Sequence, residues 1–290
     1  MGRLKNKVAL VTGASRGIGR GIALALAEQG ATVYVTGRTV QAGSYILPGT
    51  VGETAAQCDA RGGRGIAVQV DHADASQVAS LFEQIRRDSG QLDILVNNAF
   101  ALPEDLTDTG GFWEKPLSNL QMIDVGVTSN FTAAWHAAQL MVPAGQGLMV
   151  TISGYAGGTY NYGALFGTCK SAADRMAHDM AIELKPHGVV SLSLWLGLTF
   201  TERASRNLAA NPAMSSHVVT NPAAGSTVEF PGRVICALAS DPQAIAWTGG
   251  TLIAAELAEH YEIRDIDGNA PPSLRHQRRP PIWDPIGEAI

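Results

Sequence analysis

KVALVTGASRGIGRGIALALAEQG, Lys7 to Gly30, reads as strand, glycine turn and helix in immediate succession. Val8, Ala9, Leu10 and Val11 form an apolar run too short for a helix, which is the pattern of a strand buried on both faces. In TGASRGIG, glycine at 13, 17 and 19 permits a sharp turn, an approach to a ligand with no Cβ in the way, and close packing of the next helix. Ile18, Ile22, Ala25, Leu26 and Gln29 mark one stripe of that helix, which Gly30 can end in a left-handed cap. Its N-terminus aims free amides and the positive dipole end at an anion on the turn. Gly13, Ser15, Arg16, Gly17, Ile18 and Gly19 are therefore candidate cofactor-binding residues. The spacing TGxxxGxG is neither GxGxxG nor GxxxxGK[ST], and the β-branched strand ATVYVT, 31 to 36, completes a β-α-β mononucleotide-binding unit.

The strand ends in TGR. A carboxylate there would accept from the ribose 2′-hydroxyl of NAD and repel a 2′-phosphate, but this chain has Gly37 followed by Arg38. Arg38 and Arg16 offer two guanidinium forks to a 2′-phosphate, so the expected cofactor is NADP(H). Residues 39 to 54 form a loop insertion before a helix from Glu53 to Ala60. Asp71, closing a strand Ile66 to Val70, either accepts from an adenine amino group or caps the next helix, Asp74 to Arg87. Leu92 to Ala99 is a strand whose terminal asparagines, including Asn98, can fix the backbone around a cofactor ribose.

The 290 residues, 46% hydrophobic, suffice for one large core. Repeated strand and helix alternation argues for an α/β fold, a single Rossmann-type doubly wound parallel sheet of about seven strands with helices on both faces. That domain is expected over 1 to 255, with a lid at about 202 to 227 and a C-terminal extension at 256 to 290. A net charge of −5 argues against a nucleic-acid partner. No apolar run approaches membrane-spanning length, no signal peptide precedes the first strand, and the histidines lack metal-ligand spacing. Three widely separated cysteines suggest reduced thiols and a cytoplasmic protein.

TGASRGIG at 12 to 19, NNA at 97 to 99, Ser153, Lys170 and LGLTFT resemble the short-chain dehydrogenase/reductase family over about 5 to 253. GRGIALALAEQGATVYVTGR, LMVPAGQGL and IRDIDG look most like one branch of it. The resemblance implies hydride transfer between a nicotinamide cofactor and a carbonyl or alcohol. It also implies a homodimer or homotetramer built on a long helix, Leu117 to Met141. In that helix the family's relay asparagine is replaced by Gly126, which suggests a close backbone approach or a kink. The family pattern places a serine thirteen residues before a tyrosine and that tyrosine four before a lysine. Ser153 and Lys170 fit, and position 166 is Phe166.

By resemblance the tyrosine donates a proton to the carbonyl oxygen, the lysine lowers its pKa and holds the ribose, and the serine orients the carbonyl. Phenylalanine cannot donate, and a lost general acid typically costs about 10²- to 10⁴-fold in rate. Three accounts stay open: Tyr162, Tyr155 or Tyr160 supplies the proton; the protein is an NADP(H)-binding sensor or interaction subunit; or Phe166 is an engineered or strain-specific change. Lys170 sits near the start of a helix, and its retention argues for nucleotide binding. After the strand Val189 to Leu194, Gly197 and Thr201 remain from the family's Pro-Gly-Thr pattern, so Thr201 is a candidate for the cofactor's carboxamide or phosphates. The tail from Glu256 is expected to reach a neighbour, cover the site, or stay partly ordered.

Overall fold

Val8–Val11 is buried along its whole length, as an apolar run covered on both faces must be. It is β1 of the computed structural model, which describes residues 2–210, 225–278 and 280–287. The strands that follow are β2 (Thr32–Gly37), β3 (Arg64–Gln69), β4 (Ile94–Asn97), β5 (Gly147–Gly154), β6 (Val189–Leu196) and β7 (Thr251–Ile253). They form one seven-stranded sheet of order β3-β2-β1-β4-β5-β6-β7, the doubly wound arrangement expected. β1 runs parallel to β2, β2 to β3, and β4 to β5. Parallel neighbours cannot be joined by tight turns, so helical crossovers connect them. The chain also divides into two compact units: Met1–Gln69, Leu196–Asp241 and Ile253–Leu274 in one; Val70–Trp195, Pro242–Leu252 and Arg275–Ile290 in the other.

In the first unit, α1 (Gly17–Glu28) ends as its glycine signal requires. Gly30 takes φ 88°, its N–H donates to Ala27 O at 2.8 Å, and the Ala31 N–H donates to Leu26 O at 3.2 Å, which together are a Schellman cap. The tightest approach to α1 falls on Gly21, where a Cβ would collide with the Val228 carbonyl. Gly232, in the helix Phe230–Ala239, likewise faces the Ile22 Cα. Two glycines thus let these two helices close on each other. The bidentate pair of Arg61 on buried Glu229, at 3.0 and 2.9 Å, ties the end of the helix Val51–Ala60 to the segment entering the helix Phe230–Ala239.

α2 spans Val51–Ala60, starting two residues before the expected Glu53, because Thr50 is its N-cap. Thr50 Oγ1 accepts from the Glu53 N–H at 3.0 Å, and Glu53 Oε2 accepts from the Thr50 N–H at 2.9 Å. This reciprocal capping box satisfies two amides that an open helix end would leave bare. Helix Glu202–Ala210 opens the expected lid, and Ser226 pairs with Thr199 where it closes. Its middle, 211 to 224, lies outside the described residues.

In the second unit, α3 (Ala75–Ser89) is capped by Asp74, whose carboxylate accepts from the Ser76 and Gln77 amides. The long helix expected from 117 to 141 is divided. A 3-10 turn (Leu117–Leu120) and a short helical turn (Gln121–Ile123) lead into a π turn (Asp124–Thr128), and α4 runs Ser129–Ala144. α5 (Ala164–Leu184) begins six residues before Lys170. The C-terminal segment packs on this unit's own elements: the Thr251 N–H donates to Trp283 O at 2.8 Å, and Trp283 stacks on His178 with ring centroids 4.4 Å apart. Among the described residues, no helix is long and apolar enough to cross a membrane.

Candidate functional site: an anion cradle and a serine–lysine cluster

The glycine turn of the first unit has the shape that a phosphate needs. Gly13 and Gly17 take φ 64° and 56°, a conformation that side chains resist. The Cβ that Gly17 lacks would make ordinary contact with Glu202 Oε2 at 3.6 Å and Thr201 Cγ2 at 3.7 Å, so the start of helix Glu202–Ala210 lies against the turn. The N-cap of α1 is Arg16 in extended backbone, and its side chain makes no cap hydrogen bond. First-turn amides that the N-cap side chain leaves unbonded are a ready anion site. Ser15 is buried beside them, with its hydroxyl near Gly37. The turn therefore fits the pyrophosphate of a dinucleotide.

Arg16 does something else than expected. Its Nε donates to Pro48 O at 2.9 Å, and one terminal nitrogen donates to Gly49 O at 2.7 Å and Thr39 Oγ1 at 3.0 Å. Its guanidinium also lies 4.8 Å from the centre of the Tyr45 ring. Arg16 pins the insertion loop to the glycine turn, and Gly49 packs so closely that a Cβ would strike Ser15 O. Burial lowers the Arg16 pKa from its ordinary value; Arg203 and Arg38 push the same way, while Tyr45 and Glu202 oppose. Arg38 is exposed and close enough for its charge to be felt at Arg16. Of the two expected forks, Arg38 is exposed, while Arg16 is half-buried and bonded to the insertion loop. Thr201 accepts from the Ala204 N–H at 3.1 Å, steadying the start of helix Glu202–Ala210.

The second unit holds the expected catalytic residues. β5 carries Ser153, which is buried, and its hydroxyl donates to Lys170 O at 3.3 Å. Phe166, Lys170 and Asp174 follow one another at spacing four along α5 and so share a face. Lys170 Nζ donates to Ile152 O at 3.2 Å and stands 4.4 Å from the centre of the Phe100 ring and 5.7 Å from that of Phe166. Burial lowers its pKa to about 8, against opposing influences from Asp174 and Cys169. Half-buried on a helix face, Lys170 is not the freely solvated side chain that a place near a helix start would also allow. Phe166 sits edge-on to Phe100 and Tyr162, at 5.5 and 5.4 Å.

Of the loop tyrosines, Tyr155 is buried against Trp195, Tyr160 is 81% exposed, and Tyr162 takes φ 56°. Only Tyr162 touches the ring that stands in the acid's position. Asp71 does not cap α3; its carboxylate accepts from the Ala73 N–H at 3.0 Å, which leaves the cap to Asp74. Beside Asn98, the neighbouring Asn97 donates to Asn130 O at 3.1 Å, while its own carbonyl oxygen is buried without a partner.

The π turn at Gly126 has a visible cause. A Cβ there would enter the Phe100 ring, and Asn130 Nδ2 donates to Gly126 O at 2.8 Å across the widened turn. Reading the sequence singled out Gly126 but not Phe100, Asn130, Tyr45 or Asp174. For Asp174 a signal existed, since it continues the four-residue spacing from Phe166 and Lys170.

A family model described as short chain dehydrogenase matches residues 7–211. Dehydrogenase/reductase SDR family member 1 of Homo sapiens is 39% identical over 273 residues, covering 91% of this chain and 85% of that protein. A 3beta-hydroxysteroid dehydrogenase of Mediterraneibacter gnavus is 30% identical over 217 residues, 72% of each chain. Among solved structures, a short-chain type dehydrogenase/reductase from Mycobacterium marinum is similar, with TM-score 0.71, 27% identity and coverage of 86% of this chain and 94% of that one. The branch that the three sequence segments pointed to is that of the human relative. A glycine turn, a serine and a lysine in the family's order, matched by the family's own model and by a relative alike over nine-tenths of the chain, make this protein a member of the short-chain dehydrogenase family of oxidoreductases.

Proposed function

We propose that this oxidoreductase binds NADP(H) and reduces a carbonyl compound, or oxidises the corresponding alcohol, slowly, because Phe166 replaces the family's proton donor. The observation that carries the reading is the start of α1, left uncapped by the N-cap side chain behind a positive-φ glycine turn, with exposed Arg38 after Gly37 where a carboxylate would select NAD. Gly13, Ser15, Gly17, Ile18 and Gly19 would hold the pyrophosphate and Arg38 the 2′-phosphate, with Arg16 keeping the loop in place. By resemblance, Lys170 would hold the nicotinamide ribose, and Thr201, Asn98 and Asp71 are assigned to cofactor contacts. A bound nicotinamide supplies the hydride; the chain supplies orientation and the proton. The Phe100, Phe166 and Tyr162 rings favour an apolar substrate.

The contrary reading, an NADP(H)-binding protein without turnover, draws on the same aromatic packing around Phe166. Two measurements separate them. Calorimetric titration should show NADPH bound more tightly than NADH. NADPH oxidation with a panel of aldehydes and ketones should be slow and should rise about 10²- to 10⁴-fold in Phe166→Tyr. Binding without oxidation in either form would establish the silent reading.

We also place the protein in the cytoplasm, in keeping with its buried, free Cys58, Cys169 and Cys236, and assign it a homodimer or homotetramer. Phe131 and Trp135, four apart on α4, are 52% and 55% exposed, a surface that assembly would cover. Sedimentation should give a dimer or larger, reduced to monomer by Phe131→Glu with Trp135→Glu; a monomeric unmodified protein would refute the assignment.

A further inference from the structure

Asp174 is a buried carboxyl group that the family's mechanism does not employ. It lies one helical turn beyond Lys170 on the same face of α5. Ser193 Oγ donates to its Oδ1 at 2.5 Å and Trp195 Nε1 to its Oδ2 at 2.9 Å, both from β6. Ser153, whose hydroxyl donates to Lys170 O at 3.3 Å, also lies within reach of the carboxyl, and the charge of Lys170 is felt there. The loop after β5 closes over the group so tightly that a Cβ on Gly157 would strike Oδ2. The other side chains that face it, Ser193 and Trp195 on β6 and Ser153 on β5, carry no charge. Tyr155, from the same loop, meets Trp195.

Resting on the reductase reading above, we infer that Asp174 is the proton reservoir of this chain, a positioning residue that acts through Ser153 in place of the hydroxyl missing at position 166. The balance closes. As the carbonyl carbon accepts hydride from the reduced nicotinamide, the Ser153 O–H bond breaks and its proton forms the new O–H bond on the substrate oxygen. The Asp174 carboxyl O–H breaks in turn and restores Ser153. The products are alcohol, oxidised nicotinamide and the Asp174 carboxylate, which the Lys170 ammonium stabilises until solvent returns the proton.

Burial raises the Asp174 pKa to about 6, against its hydrogen bonds from Ser193 and Trp195, the nearby Ser153 hydroxyl and the charge of Lys170. The group can therefore hold a proton under mildly acidic conditions, where an ordinary carboxyl has lost it. The remaining activity should then fall as pH rises through about 6.

The first test needs no turnover. Infrared difference spectra between the unmodified protein and Asp174→Asn should show a protonated carboxyl band that disappears as pH rises through the same range and shifts in Ser153→Ala. No such band, or one indifferent to Ser153→Ala, overturns the inference even if the enzyme proves active. The second test is kinetic. Asp174→Asn should lower kcat at least about ten-fold in the Phe166 chain and abolish the decline at rising pH. It should cost much less in Phe166→Tyr, where the proton has another source. Asp174→Glu should restore part of the rate. An equal loss in both backgrounds, with the pH profile unmoved, would reduce Asp174 to a packing role. If no carbonyl compound is reduced by any form, the reductase reading fails while the infrared result still decides the state of Asp174.

Discussion

On the proposed reading, Gly37 sets the choice of cofactor through what it lacks. A Cβ there would lie 3.4 Å from Val51 Cγ1 and 3.6 Å from Ser15 Oγ, which is ordinary contact, so a larger residue fits. Gly37→Asp should place a carboxylate where a ribose 2′-hydroxyl would be accepted and a 2′-phosphate repelled. NADPH affinity should fall by roughly 1.5–3 kcal/mol, about ten- to hundred-fold, with NADH affinity rising in the same titrations. An unchanged ratio would show that the 2′-position is not read there. The glycine and the exposed Arg38 were legible because both belong to a short local pattern. The binding of Arg16 to Pro48 and Gly49 was not, because its partners lie 32 and 33 residues further along and only the folded loop brings them back. Asp174 was missed for a related reason: its meaning depends on β6, which supplies two of its donors.

At the scale of elements, the helix expected from 117 to 141 shows what periodicity can and cannot give. Its apolar residues suit a helix throughout, and Gly126 marked the place where something comes close. That the something is Phe100, and that the helix widens into a π turn to admit it, depends on a residue from the loop after β4. In an open helix, glycine to alanine gains about 1 kcal/mol. Here Gly126→Ala should instead lose about 1–3 kcal/mol in urea unfolding, as overpacking does, because the new methyl enters the Phe100 ring. A stabilised variant would show that the ring moves aside freely. The early start of α2 was readable in principle, since Thr50 and Glu53 form a capping box in the sequence itself.

The seven-stranded sheet as a whole was legible from the alternation of short apolar runs with amphipathic stretches, a pattern compatible with few architectures. The C-terminal segment was not, because proline and arginine in irregular order carry no period. Its role appears only in the sheet's order, where β7 is the last strand. The Thr251 N–H donates to Trp283 O, and the Ile286 N–H donates to Thr248 O at 2.9 Å, while Lys185 Nζ donates to Ile286 O at 3.1 Å. This stretch therefore occupies hydrogen-bonding groups at a margin that would otherwise offer itself to any passing strand. Ending the chain after Leu274 should leave circular dichroism close to native while light scattering grows with concentration and time. A clear, monodisperse solution of the shortened chain would show that the margin needs no guard. On this account the stretch around Trp283 and Ile286 serves colloidal restraint: it keeps one molecule's sheet from becoming the template for the next.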